Sequence, residues 1–186
     1  MIDYSGKDLA RAFRTVRKNT IQIANEIPEA QYGFRPSADS RSVAEVLAHV
    51  AAQTGWIHRL HGVDRKTFVT MEDFGGYLKD AGAFEQSLTS RAAIIEALTK
   101  EGDAFGSWLE GLSEAALGEF VGFPAPLDPP KKTRFEMLLG AKEHEMHHRA
   151  QLMLIERLIG IVPHLTREIE ARRAQMAQQA AQPQKV

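Results

Sequence analysis

The residues best suited to chemistry in this chain are its histidines. His49, His58, His61, His144, His147, His148 and His164 stand in a sequence of 186 residues that has no cysteine. The missing thiols exclude disulfides, thiolate zinc sites, iron–sulfur clusters and a cysteine nucleophile. Any transition-metal site must therefore be built from imidazoles and carboxylates.

The stretch GAKEHEMHHRAQLMLIERLIG carries the densest cluster. His144 and His148 are four residues apart, which puts them about 40° apart on one helix face. They share a row with Met137, Ala141, Gln151, Ile155 and Leu158, so two imidazoles sit in the middle of a seam with apolar ends. Burying such a pair without partners is costly. A metal ion that takes a lone pair from each ring removes that cost. His147, three residues after His144, also has chelating spacing, and the seam favours His148. A hydrogen-bonded core pair or a solvated helix face would give the same spacing without metal. His144, Glu145 and His148 also spell the H-E-x-x-H pattern of zinc proteases. The longer metzincin form needs glycine at position 151 and histidine at position 154, where this chain has Gln151 and Leu154.

His49 lies three residues after Val46 and seven before Trp56, near the apolar face of an earlier helix. Alone, it would read as a core residue. With a chelating pair on another helix it becomes a third ligand. Three protein ligands leave a coordination position open, as a catalytic site requires. His58 projects about 180° away from His49; with His61 and His164 it is assigned a structural or solvent role. Gln53 and Trp56, one and two turns beyond His49, and Glu145 are candidate pocket residues. Packing is the alternative for the first two, and a solvated or supporting role for Glu145.

Four helices must position these groups. The first runs from about Ser5 to Ile27, with Leu9, Phe13, Val16, Thr20, Ile23 and Ile27 in one stripe, and Pro28 stops it. The second starts at Ser42 with a Ser42–Glu45 capping box and ends near Gly62. The third runs from about Ser90 to Leu112. Gly102 stands in its apolar row, where glycine costs about 1 kcal/mol against alanine and so signals close approach of another helix. The fourth starts with a Thr133–Glu136 box and ends near Gly160, before Pro163. Residues 63–89 read as a long connection with at most a short helical piece. Residues 113–132 read as a proline-rich loop with a short extended pair around Phe120 to Phe123. Simple up-down bundles use loops of roughly 2–8 residues, so these lengths demand a crossover. Residues 1–163 form one all-α bundle, and residues 164–186 a polar tail, partly helical or disordered.

Composition narrows the function. A hydrophobic fraction of 44% and a charged fraction of 25% are those of an ordinary globular domain. A net charge of −1 argues against binding nucleic acid through phosphate neutralisation. No apolar run is long enough to span a membrane, and the charged start MIDYSGKDLARAFR has no apolar block after it, which points to a cytoplasmic protein.

Three phrases, QYGFRP (Gln31–Pro36), SVAEVLAHV (Ser42–Val50) and HEMHHRAQL (His144–Leu152), make the chain resemble the DinB-like superfamily, the DinB/YfiT-like metalloenzymes. The resemblance spans residues 5–163; Ala150 departs from it where glycine is commoner. It implies a four-helix bundle in up-down-down-up order, with the second and third helices parallel and a long crossover between them. It carries the three metal ligands onto His49, His144 and His148, with zinc or nickel as the divalent ion. It further implies a homodimer acting on a small-molecule substrate, as a transferase using a low-molecular-weight thiol or as a hydrolase. Without cysteine, that thiol must be a cosubstrate. The competing expectation is a non-catalytic, metal-stabilised bundle serving as a dimeric interaction module.

Overall fold

The structure, a computed structural model, describes residues 4–181. Four long helices form the bundle: α1 (Gly6–Glu26), α2 (Val43–His58), α4 (Arg91–Glu110) and α6 (Arg134–Leu158). A π-helical turn, Arg59–Val63, extends α2 to the end expected for it. The remaining elements are α3 (Met71–Ser87), α5 (Glu114–Gly118), the strands β1 (Phe120–Gly122) and β2 (Lys131–Thr133), and α7 (His164–Ala181). The capping boxes at Ser42 and Thr133 are formed, and Ser5 with Asp8 makes a full box at the start of α1. Gly160, at φ 85°, closes α6 as the left-handed residue after its last turn.

Contacts at successive levels fix the helix directions. On α2 and α4, Val50 and Leu98 both hold the Arg17 guanidinium, and further along His58 meets Trp108, so these helices run parallel. On α1 and α4, Phe13 meets Phe105 while the Arg91 guanidinium reaches the Asn25 carbonyl, so they are antiparallel. On α1 and α6, Tyr4 meets Phe135 and Arg17 meets Glu145, so they are parallel. The order is up-down-down-up, as expected.

The crossover differs from the expectation. Residues 71–87 form a 17-residue helix rather than a loose connection. Helix α3 runs back along the outside of α2, with Phe74 and Tyr77 against Trp56 and Glu85 against His49. This return lets α4 descend parallel to α2. Three glycines and a single buried residue, Tyr77, gave α3 no apolar stripe to read. Its capping box, Thr70 with Asp73, is nevertheless written in the sequence.

A small apolar cluster of Leu60, Val69, Tyr77 and Val121 lies at one end of the core, which otherwise has two clusters, one around Ile23, Leu47, Val50 and Leu98, the other around Phe13, Ile57, Phe105 and Leu138. Between them each long helix places a polar or small residue: Arg17, Gln53, Gly102 and Glu145. The Arg17 Nε donates to both carboxylate oxygens of Glu145 at 2.9 and 3.1 Å. Its Nη1 donates to the Leu98 carbonyl at 2.7 Å and its Nη2 to the Val50 carbonyl at 3.3 Å, so one side chain ties all four helices together. A Cβ on Gly102 would lie 2.8 Å from the Arg17 Cγ. The close approach signalled by that glycine is made by Arg17.

Beneath the start of α7, Glu156 is fully buried, and neither carboxyl oxygen has a partner among the described residues. Burial first, and then the Glu26 carboxylate, push its pKa up from 4.5 to about 7. The folded chain therefore holds a proton that the unfolded chain releases between those values, so stability falls as pH rises through that window. Glu156→Gln is expected to raise stability at pH 8 by up to about 3 kcal/mol and to change it little at pH 4, read by urea unfolding. An equal change at both pH values would contradict this. The last part of the expected polar tail, residues 182–186, lies outside the described residues.

Candidate metal centre

Helix α2 presents His49 two turns after its cap, and α6 presents His144 and His148 on one face. Their donor nitrogens all lie within 4.8 Å of one another. The His49 Nε2 is 3.1 Å from the His144 Nε2, and the His148 Nε2 is 3.2 Å from that same atom. Metal–nitrogen bonds of about 2.0–2.1 Å at cis-octahedral or tetrahedral angles place ligand nitrogens about 2.9–3.4 Å apart. The two spacings to His144 fall inside that range, and the His49–His148 spacing is within 4.8 Å.

The far ring nitrogens show which lone pairs are free. The His49 Nδ1 faces the Glu85 Oε1 at 2.8 Å, and an ionised carboxylate can only accept, so the proton belongs on Nδ1. The His148 Nδ1 likewise donates to the Gln151 Oε1 at 2.9 Å. Both rings thus aim unprotonated Nε2 lone pairs at His144. A proton on the His144 Nε2 can satisfy only one of them, leaving two lone pairs opposed, whereas a cation satisfies all three nitrogens. The group could hold a divalent metal.

Burial favours the neutral form of the two α6 imidazoles. Burial, then the neighbouring imidazoles, push His144 down to about 4, and burial also lowers His148. Ligating imidazoles must be deprotonated, so these rings are ready to bind at pH 7. Among the described residues no fourth histidine or carboxylate joins the group. Three protein donors leave coordination open to solvent or substrate.

The other histidines are not part of the group. His147 is exposed and its Nε2 accepts from the Gln151 amide at 3.0 Å. His58 packs against Trp108. His61 is buried, pushed down to about 3 by burial and Arg134, and its Nδ1 accepts from the Arg134 Nη1 at 2.8 Å. His164 is buried beside Asn19. Glu145, 1% exposed, is neither solvated nor available as a base, because Arg17 engages both its oxygens. Gln53 is buried in the core layer. Trp56 lines a separate cavity of about 190 Å³ with Tyr77 and Phe84, which none of the three histidines borders.

Glu85 is the residue that spacing could not supply. It lies 36 positions from His49, on the helix read as a connection. Carboxylates that hold a ligating imidazole typically contribute 10–100-fold to metal affinity. Glu85→Ala is expected to weaken metal binding by about that factor, measured by competition with a chromophoric chelator. Unchanged affinity would show that Glu85 does not orient His49.

An up-down-down-up bundle with a three-histidine cluster between α2 and α6 defines the class of fold and site. The model of the DinB superfamily matches residues 12–152, and the chain belongs to that superfamily. Among solved structures, a DinB-like protein (YjoA) from Bacillus subtilis aligns with a TM-score of 0.61 at 20% identity, covering 82% of this chain and 91% of that one. YfiT from Bacillus subtilis aligns at 0.63 and 16% identity, covering 87% and 91%; it is described as a probable metal-dependent hydrolase with an unusual four-helix bundle topology. The colibactin self-resistance protein ClbS, solved in complex with a dsDNA, aligns at 0.60 and 13% identity, covering 84% and 98%. At these identities the likeness is one of fold. A comparison with curated proteins found no match. Among the described residues no helix is long and apolar enough to cross a membrane.

Proposed function

We propose that the protein is a metal-dependent enzyme acting on a small molecule, with zinc or nickel held by His49, His144 and His148. The observation that carries this reading is the convergence of three Nε2 atoms at 3.1 and 3.2 Å, with two of the far nitrogens already committed as donors. A divalent ion there supplies Lewis acidity, which lowers the pKa of a water or thiol at the open position. Glu85 and Gln151 hold the protons at the Nδ1 atoms of His49 and His148 and so fix both rings. Glu145 is committed to Arg17, which sets the site apart from an H-E-x-x-H protease, whose glutamate must act as base.

The chain has no cysteine, so thiol chemistry would draw its sulfur from a low-molecular-weight cosubstrate. That reading takes the reaction as group transfer to such a thiol, with hydrolysis as the competing outcome. The test is an assay of zinc-loaded and nickel-loaded protein against electrophiles, with and without added thiols. Turnover that requires thiol and falls more than 100-fold in His49→Ala supports transfer. Turnover without thiol and with the same loss assigns hydrolysis. Turnover unchanged in His49→Ala would overturn the metal reading. The dsDNA complex of ClbS makes duplex DNA a useful control ligand, although this chain's net charge of −1 gives no electrostatic basis for it.

A further inference from the structure

A groove of about 640 Å³ borders the histidine cluster, within the size range of small-molecule sites. One wall is α6, with His147, His148, Gln151, Leu154 and Ile155; the other is the loop before α2, with Asp39 and Arg41. The loop's two arginines differ. Arg35 is committed to the Glu45 carboxylate and the Ser40 carbonyl. Arg41 is exposed, and among the described residues its guanidinium donates no hydrogen bond and has no carboxylate within 4.0 Å. Asp39 sits on the same rim, but its Oδ1 accepts from the Ser37 hydroxyl at 2.7 Å, and its charge repels an anion from that part of the rim. Leu154 is 57% exposed beside the groove, leaving an apolar floor on α6 open to solvent.

We infer that this groove binds a small molecule whose reactive end reaches the histidine cluster at His148, whose apolar middle lies on Leu154 and Ile155, and whose anionic end, a carboxylate or a phosphate, is held by Arg41. The reactive end rests on the metal-site reading; the anionic end rests on the groove alone. An unpaired guanidinium presents a planar fork that takes either oxyanion through two parallel hydrogen bonds. Arg41 and His148 line the same groove, which selects molecules that carry the anion at one end and the reacting atom at the other.

The test is an NMR titration of full-length, zinc-loaded protein with hexanoate, hexyl phosphate, hexanol and hexylamine, with zinc content measured on the same samples. Hexanoate or hexyl phosphate is expected to bind about 10-fold tighter than hexanol and hexylamine, with shifts concentrated at residues 39–46 and 148–155. The tighter of the two anions identifies the ligand's anionic group. Arg41→Gln should abolish the preference, and Arg41→Lys should keep part of it. Hexanol binding as tightly as both anions would overturn the inference. So would an anion preference that survives Arg41→Gln, since the metal or another cation would then hold the anion. A preference lost in Arg41→Gln in protein that retains no zinc would support the groove while removing the metal reading.

Discussion

Arg17→Ala is expected to lower stability by about 3–5 kcal/mol, a loss on the scale of breaking a buried ion pair by removing one partner. Arg17 is 4% exposed and Glu145 is 1% exposed. Removing the guanidinium strands a buried carboxylate and leaves the Leu98 and Val50 carbonyls without their side-chain donor. It also opens a void opposite Gly102, where nothing on α4 can fill the space. Urea unfolding monitored by circular dichroism reads the loss. Arg17→Met combined with Glu145→Leu removes both charges at similar volume and should recover much of it. A loss below about 1 kcal/mol for Arg17→Ala would mean that the pair is solvated, as an exposed ion pair is.

His144→Ala is expected to reduce retained metal from about one ion per chain to near zero, because a three-ligand site that loses one imidazole keeps only two. His144 is the common member of both short contacts, at 3.1 and 3.2 Å, so its loss separates the remaining two rings. The substitution lies in the middle of α6, where alanine is the best helix former, so the fold should persist. His147→Ala is the informative companion. Its spacing from His144 also permits chelation, yet its ring points into the groove and is engaged by Gln151. It should retain metal. Metal retained in His144→Ala and lost in His147→Ala would show that His147, not His144, is the ligand.

Most of the bundle was legible because its signals are local. The capping boxes at Ser42 and Thr133 mark helix starts through neighbours three residues apart, and the stripe from Leu9 to Ile27 shows the buried face of α1. The four-residue step from His144 to His148 is equally local. His49 could be joined to them because it lies near an apolar face and in the phrase SVAEVLAHV that carries the family resemblance. Three features were hidden because they depend on contacts distant in sequence. Helix α3 packs on the outside of α2 and buries only Tyr77, so it carries no amphipathic stripe. Glu85 becomes a partner of His49 only once α3 has returned along α2. Glu145 looks like an exposed glutamate in a protease pattern until the fold brings Arg17 to it from 128 positions away. Gly102 gave a hint of that layer, since its missing side chain leaves the space that Arg17 occupies.

The most direct test of the metal site is elemental analysis combined with X-ray absorption spectroscopy on purified protein reconstituted with zinc and dialysed. The structure predicts one zinc per chain with three imidazole nitrogens at about 2.0–2.1 Å and at least one lighter non-protein ligand. Protein that retains no zinc, or zinc bound without an imidazole shell, would contradict it.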